Sequence, residues 1–531
     1  MIQYTPANQL TLEGFEHPFD LALDPDNRWV KLAGLIDWDE LADIYSRNLN
    51  TEKGRLSVDV RMVIGAMIVK HKLRLTDRET VATISENLYL QYFCGLKSFQ
   101  PEPAFDPSLF VEIRKRMGAD VFDRFNDVVI ARSQQLTPSG KRLMQDRSEP
   151  GDHGPGEPED PDSGSRQEPS AADPPPPEPA NKGTLKIDAT VADQQIVYPT
   201  DLGLINTGRQ ESERMIDLLY TTCGLSNKPR TYRRLARAAY LAVARKKRKS
   251  KKQVRKAIGT QLRYLKRNLG HIETLLDRHE SHRFPLSHRD QRIYWVIQQL
   301  YIQQKHMYDH HTHSHTDRIV SIYQPYVRPI VRGKDKANVE FGAKINISEY
   351  GGMSKIDTIS RDAYNESVDL KKQVRRYKKT FGCYPELVLA DRIYLTRSNR
   401  AWLKSMDIGV VGKPLGRPPK QALSAYEKRK LRAKRNQRNL VEGKIGQAKN
   451  GYGLGCIKAR RKDTSESWLG AIFFVMNLTR LLKIGEEYFF LFFLRPFVAC
   501  IRVAGQLRIV CSYLYAQSVL PWTRQATLKA G

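Results

Sequence analysis

Three acidic residues, Asp188, Asp391 and Glu442, sit in contexts that could form one metal-dependent phosphoryl-transfer site. Asp188 follows the run Leu185-Lys186-Ile187, and Asp391 follows Leu387-Val388-Leu389-Ala390. Each reads as a carboxylate at the C-terminal end of a buried strand, held rigidly and open at the sheet edge. Glu442 lies in a long basic helical stretch, Arg438-Asn439-Leu440-Val441-Glu442-Gly443-Lys444. Carboxylate oxygen suits a hard cation such as Mg²⁺. Two strand-end carboxylates with a third from a helix can hold two ions roughly 3.5–4 Å apart for in-line attack on a phosphodiester. The expected cofactor is therefore a pair of Mg²⁺ ions, with Mn²⁺ as the substitute. Asp193, Asp201, Glu340 and Asp357 are alternative members of such a set, although Asp201 follows Pro-Thr and reads as a helix cap, and Glu340 can equally face solvent. Lys334 and Lys344 are candidate phosphate contacts.

Composition narrows the substrate. Lys plus Arg number 87 against 58 Asp plus Glu, a formal charge of +29 that favours polyanion binding. A basic scaffold protein would share the charge, but such proteins are usually shorter and poorer in apolar strands. The chain's 531 residues allow several domains and a full-sized core. Its 6 cysteines are scattered without a C-x-x-C pair, which argues against a disulfide frame or zinc site and for a reducing cytoplasm. The first residues, Met1-Ile2-Gln3-Tyr4-Thr5-Pro6, lack the basic region and apolar core of a secretory signal.

The elements that must hold these residues follow from periodicity and punctuation. Residues 1–137 read as a small helical domain, with apolar helical spacing over 58–72, a cap at Thr76 or Asp77, and a helix from Ser108 through Phe110, Ile113, Met117 and Phe122. That unit suits either helix-turn-helix DNA binding or dimerisation. Residues 138–183 read as a Pro/acidic linker too poor in apolar side chains to offset its ordering entropy. Strands are expected at 195–198, 319–322, 339–347, 355–359, the Asp391 run and 408–411. Between Asp217 and Glu273 there is no acidic residue, while Arg245, Lys246, Lys247, Arg248 and Lys249 run together. A solvated face explains many basic runs; neutralised phosphates explain this acid exclusion more economically. The histidines at 306, 310, 311, 313 and 315 form a polar tract whose metal reading is compositional only. The apolar run at 488–494 is too short for a membrane span and is broken by Arg495 and Pro496.

The expected fold is α+β or α/β: a ribonuclease-H-like mixed sheet over 184–484, interrupted by a basic helical insertion at about 205–316 and followed by an apolar extension over 485–531. First strand, fourth strand and a later helix would then bring the carboxylates together.

The sequence resembles bacterial insertion-sequence transposases of the DDE class with an InsH-like N-terminal domain. The resemblance is carried by Ile187-Asp188-Ala189-Thr190-Val191-Ala192, Tyr198-Pro199-Thr200-Asp201, Arg328-Pro329-Ile330-Val331-Arg332-Gly333-Lys334, Val339-Glu340-Phe341-Gly342-Ala343-Lys344, Ala390-Asp391-Arg392-Ile393-Tyr394 and Val441-Glu442-Gly443-Lys444-Ile445-Gly446. It spans about residues 30–130 and 184–482. It implies catalytic, metal-binding Asp188, Asp391 and Glu442, and an R-x₃-E-x₆-K arrangement met by Arg438, Glu442 and Lys449; a tyrosine of the family pattern is Arg435 here. Offsets of four and eleven residues bring those three near one helix face. An ordinary Arg438–Glu442 ion pair, worth about 0.3–0.5 kcal/mol, fits the same spacing. DNA contacts are expected from Arg438, Lys444, Lys449 and the 245–249 run. The resemblance implies cleavage at the ends of a mobile element and joining to target DNA, with double-stranded terminal repeats and target as partners, a homodimer on the DNA, no membrane, and a cytoplasmic, nucleoid-associated location. A metal-dependent nuclease without strand transfer, or a non-catalytic DNA-binding regulator, would share most of these features.

Overall fold

The computed structural model describes residues 3, 4, 6, 22–47, 49, 57–136, 180–224, 227–279, 284–334, 337–411 and 424–489, with backbone alone at 332–334, 337, 338, 488 and 489. Helices α1 (Arg28–Leu35), α2 (Trp38–Ser46), α3 (Val60–Leu73), α4 (Asp77–Glu86), α5 (Leu88–Phe93), α6 (Leu109–Arg116) and α7 (Ala119–Gln135) come first. Local chemistry sets their starts. The Asp59 carboxylate accepts from the Arg61 and Met62 amides to open α3, and Thr76 with Glu79 closes a reciprocal capping box at α4. Ser108 makes no cap hydrogen bond, and the helix expected to run from it is split between α6 and α7.

Then comes β1 (Thr184–Asp193), followed by helices α8 (Asp201–Thr222), α9 (Arg233–Ala244), α10 (Lys251–Asp277) and α11 (His288–Asp309). These helices bury a core of their own, including Ile205, Met215, Ile216, Leu265, Ile272, Ile297 and Leu300. Among the described residues, four helices thus stand between β1 and the next strand. Strands β2 (Arg328–Lys334), β3 (Ala337–Tyr350) and β4 (Met353–Ser360) follow, then α12 (Leu370–Phe381), β5 (Leu387–Ala390), α13 (Arg397–Ser405), β6 (Gly409–Val410), α14 (Ala425–Gln437), α15 (Asn439–Gly451) and α16 (Lys462–Phe489).

The sheet runs β2-β3-β1-β5-β6, with β4 also paired to β3. β1 is antiparallel to β3 and parallel to β5, so the sheet is mixed. Antiparallel β4, β3 and β1, continued by parallel β5 and β6, are compatible with a ribonuclease-H-like core. At the end of β1 the strands come very close: a Cβ on Gly342 would lie 1.9 Å from the Ala192 carbonyl oxygen. Helix α16 joins bundle to sheet, packing on α1, α3, α6, α7 and β4. Gly470 permits its approach to α7, since a Cβ there would lie 2.7 Å from the Phe122 Cβ. By length and composition α16 could cross a membrane, but 67% of its apolar window is buried inside the protein, which accounts for its hydropathy.

Two expected strands are absent. β1 pairs with β3 as far as Asp193–Gly342, after which the Gln195 amide turns to the Ile457 carbonyl at 2.9 Å. Residues 195–198 thus leave the ladder, and Val197 is 92% exposed. Residues 319–322 are apolar because Val320 and Ile322 are buried, Ile322 in the core of the insertion, while the Ile319 amide bonds the Gln303 side chain at 2.7 Å. Helix packing and a side-chain acceptor replace the expected ladder. Of the expected linker, only 180–183 is described, where Asn181 Nδ2 donates to the Met406 and Asp407 carbonyls at 2.8 and 2.9 Å. The rest of the linker, residues 490–531 and most of the 488–494 run lie outside the described residues.

Candidate catalytic carboxylate site

Parallel pairing of β1 with β5 aligns Ile187 with Ala390, so the residues that follow, Asp188 and Asp391, emerge side by side. Asp391 stands at a strand end, as expected; it caps a single 3₁₀ turn, its carboxylate accepting from the Arg392 amide at 2.7 Å. Asp188 does not stand at a strand end. β1 continues to Asp193, because β3 supplies partners beyond the end of β5. Asp188 is therefore a mid-strand carboxylate, half-buried, accepting from the Ala189 amide at 2.8 Å.

Helix α15 crosses this face of β1 with Val441 and Ala448 buried. Glu442, 50% exposed, is within electrostatic reach of Asp188. Burial pushes the Asp188 carboxyl up to about 6; the Ala189 amide and the Arg438 guanidinium oppose the rise, and Glu442 and Asp391 add to it. The three carboxylates thus share one electrostatic neighbourhood.

The long helix expected around Glu442 is two helices meeting at Arg438, which ends α14 and precedes α15. Arg438 still reaches Glu442, at 2.8 Å. Lys449, seven residues beyond Glu442, lies about two turns along the same side. Lys444 does not join them. Burial lowers its pKa, and its charged neighbours are Glu349, Arg480, Lys483 and Lys186. Lys186 and Glu349 form a buried ion pair at 3.0 Å. Arg245, Lys246, Lys247, Arg248 and Lys249 are exposed between α9 and α10, in the insertion.

Two of the alternative carboxylates, Asp201 and Asp357, have other partners. Thr200, not Asp201, caps α8; Asp201 accepts from Arg318 at 2.8 Å and Gln304 at 3.0 Å. Asp357 is buried with Ser348 and Gln373 beneath α12. Lys344 is engaged with Glu366 at 2.7 Å and the Tyr364 carbonyl at 2.8 Å. The Lys334 side chain lies outside the described residues.

The positioning of Asp391 depends on residues without charge. The Tyr394 hydroxyl donates to Asn346 Oδ1 at 2.8 Å, and Asn399 Nδ2 donates to the Tyr394 carbonyl at 2.8 Å. Tyr394 stood in the motif that carries Asp391, but its partner Asn346 lies 48 residues away on β3, beyond the reach of local pattern.

All-oxygen carboxylate donors suit Mg²⁺ in kind. The burial and like charge that raise Asp188 are a cost that a cation would relieve. Among the described residues, however, no group of three or more His, Cys, Asp or Glu side chains is drawn together tightly enough to hold a metal ion, the histidine tract included. The donor chemistry fits, and the side chains would have to close on the ion.

Residues 388–479 match the family described as Transposase DDE domain, and residues 17–116 match Transposase domain (DUF772). A protein of Rhizobium meliloti, "Uncharacterized protein ORF8 in nfe locus", is 34% identical over 104 residues, covering 20% of this chain and 50% of that protein. No solved structure matches the chain.

Proposed function

We propose that the chain is a transposase, as its matches to a Transposase DDE domain and a transposase domain support, and that Asp188, Asp391 and Glu442 make up one phosphoryl-transfer site that cuts the ends of an insertion sequence and joins them to target DNA. The observation that carries the reading is the register of β1 with β5, which sets Asp188 beside Asp391 where α15 delivers Glu442. The same topology supports a ribonuclease-H-like core, with the β1-to-β2 helices as its insertion.

Two divalent ions, Mg²⁺ by the oxygen donor set, would be held by these carboxylates and would supply charge stabilisation and an activated attacking oxygen. The chain's own residues do the rest. β1 and the 3₁₀ turn after β5 hold two carboxylates rigid, α15 brings the third, and Arg438 offsets their mutual repulsion while facing the phosphate. The exposed 245–249 run adds sequence-independent attraction for the DNA backbone.

The test is a nicking and joining assay on an end-bearing duplex with Mg²⁺. Asp188→Asn, Asp391→Asn and Glu442→Gln should each lower cleavage by at least about a hundredfold, the scale seen when one preorganised electrostatic group is lost. DNA affinity should stay close to wild type. A wild-type rate in any one variant removes that residue from the site. Cleavage without joined product would make the chain a nuclease.

A further inference from the structure

A cleft of about 420 Å³ opens where the α3–α4 turn and α6 meet the segment joining α15 to α16. Lys70, Arg74, Arg114, Lys458, Arg460 and Arg461 line it, with Asp77 as the one carboxylate among its lining residues. Asp77 is fully engaged: Lys70 Nζ lies 2.8 Å from it, and Arg114 donates a fork of hydrogen bonds at 2.8 and 2.9 Å. Arg461 is paired with Asp463 at 2.7 Å, and Arg74 donates to the Asn450 carbonyl at the end of α15 at 2.9 Å. Lys458 and Arg460 are exposed and make no ion pair among the described residues.

The floor of the cleft carries its own imbalance. The Lys70 and Arg114 side chains are 2% and 8% exposed, two buried cations against one carboxylate. The Trp468 ring, 5.0 Å from Lys70 Nζ and 5.8 Å from the Arg114 guanidinium, offsets part of that cost. His71, buried beside them, keeps an Nε2 with no hydrogen-bond partner among the described residues. An oxyanion with several acceptor oxygens would answer the excess of positive charge.

We propose that this cleft grips a backbone phosphate of the bound DNA, with Lys458 and Arg460 closing on it over the Lys70–Arg114–Asp77 floor. The proposal rests on the transposase reading and adds a second point of grip away from the carboxylates. Glu442 and the cleft residue Tyr452 are joined by α15, and ten residues at 1.5 Å rise span about 15 Å. With the duplex axis running along α15, where one strand advances about 3.4 Å per nucleotide, the gripped phosphate lies about four nucleotides from the bond facing the carboxylates. Helix α15 thus acts as a spacer between cutting and gripping.

Single uncharged methylphosphonate linkages, walked along one strand of an end-bearing duplex, test this with the full chain in chelator. Wild-type affinity should fall about tenfold at one linkage about four nucleotides from the cleaved bond, the loss of one charge-assisted contact. The Lys458→Ala/Arg460→Ala variant should bind the unmodified duplex correspondingly less well and show no further loss at that linkage. Its slope of log K against log salt should be shallower by roughly 0.9. Cys456, exposed on the cleft wall, gives a readout independent of affinity: duplex should slow its alkylation in the wild type and not in the variant. Protection by inorganic phosphate but not by duplex would mean a free-phosphate site and overturn the assignment. An unchanged linkage pattern and slope in a variant that still binds DNA would sink the proposal and leave the transposase reading standing. A wild-type chain that binds no DNA would sink both.

Discussion

The two faces of the central sheet are polar in opposite ways. On the face covered by α15, Asp188 has Asp391 and Glu442 as like-charged neighbours, and burial holds its carboxyl at about 6. On the face covered by α12, polar side chains are tied to one another. Gln373 Nε2 donates to Asp357 at 2.9 Å, Asn346 at 3.2 Å and Ser348 at 3.3 Å; Asn346 donates to Asp369 at 3.1 Å and accepts from Tyr394. A connected buried network of this kind makes a unique, rigid core, whereas charges left under-compensated mark sites that await a ligand. The α12 face, cross-linked although the Gln373 Oε1 has no partner among the described residues, holds the frame, and the α15 face, where like charges gather, is where chemistry is expected.

The comparison is broken most directly at Asp188. Asp188→Asn should abolish most cleavage yet leave the fold more stable. The sign follows from the direction of the shift. A carboxyl whose folded pKa lies above its unfolded value favours the folded state when protonated, and that contribution is lost as pH rises from about 4 towards about 6. The asparagine variant escapes this loss, so in chelator its Tm should exceed the wild type's by a margin that is small near pH 4 and larger at pH 7. Thermal denaturation across that range measures it. A lower Tm at pH 7 would mean that Asp188 is a structural acceptor and that the two faces do not differ as argued.

The α12 face should respond in the opposite sense. Gln373→Ala leaves buried Asp357 and Asn346 each short of a donor, at a cost of about 1–3 kcal/mol for the unsatisfied groups. Urea denaturation should show that loss at every pH where Asp188→Asn is neutral or stabilising. An unchanged midpoint would mean that the network is redundant.

Much of the α15 face was legible in the sequence, and almost none of the α12 face was. Asp391 could be found because a short apolar run ends on it, and Glu442 because a lone acid in a basic helix stands out. Asp188 could be found as a residue but not as a mid-strand position, since the length of β1 depends on β3, more than 140 residues on. Gln373 and Asn346 carry no local signal: a polar residue inside a strand or helix reads as solvent-facing until the opposite element is known. The strands expected at 195–198 and 319–322 failed for a related reason. Alternating apolar residues report burial, and packing on helices meets that need as well as a ladder does. The break at Arg438 between α14 and α15 has no local signal, because no glycine or proline marks it.

Tyr394 links the two faces, since its hydroxyl belongs to the α12-side hydrogen-bond network and its backbone to the turn that Asp391 caps. Tyr394→Phe removes one buried hydrogen bond, worth about 0.5–1.5 kcal/mol. Cleavage should fall several-fold in kcat with KM and DNA affinity unchanged, the pattern of a positioning residue. A change in KM alone would put Tyr394 in the DNA interface and not in the frame.

Arg438 should have the smallest effect on stability, and it decides whether the charge on the α15 face is structural at all. Its ion pair with Glu442 spans one helical turn, with side chains 30% and 50% exposed, a geometry worth about 0.3–0.5 kcal/mol. Arg438→Ala should therefore leave the Tm almost unmoved. If the guanidinium also neutralises a phosphate, the variant's salt slope for DNA binding should be shallower by roughly 0.9, because losing one phosphate contact releases one fewer condensed counterion. An unchanged slope with a small loss of stability would reduce Arg438 to a partner of Glu442. A large loss of stability would contradict the division itself, because the α15 face would then be holding the fold together.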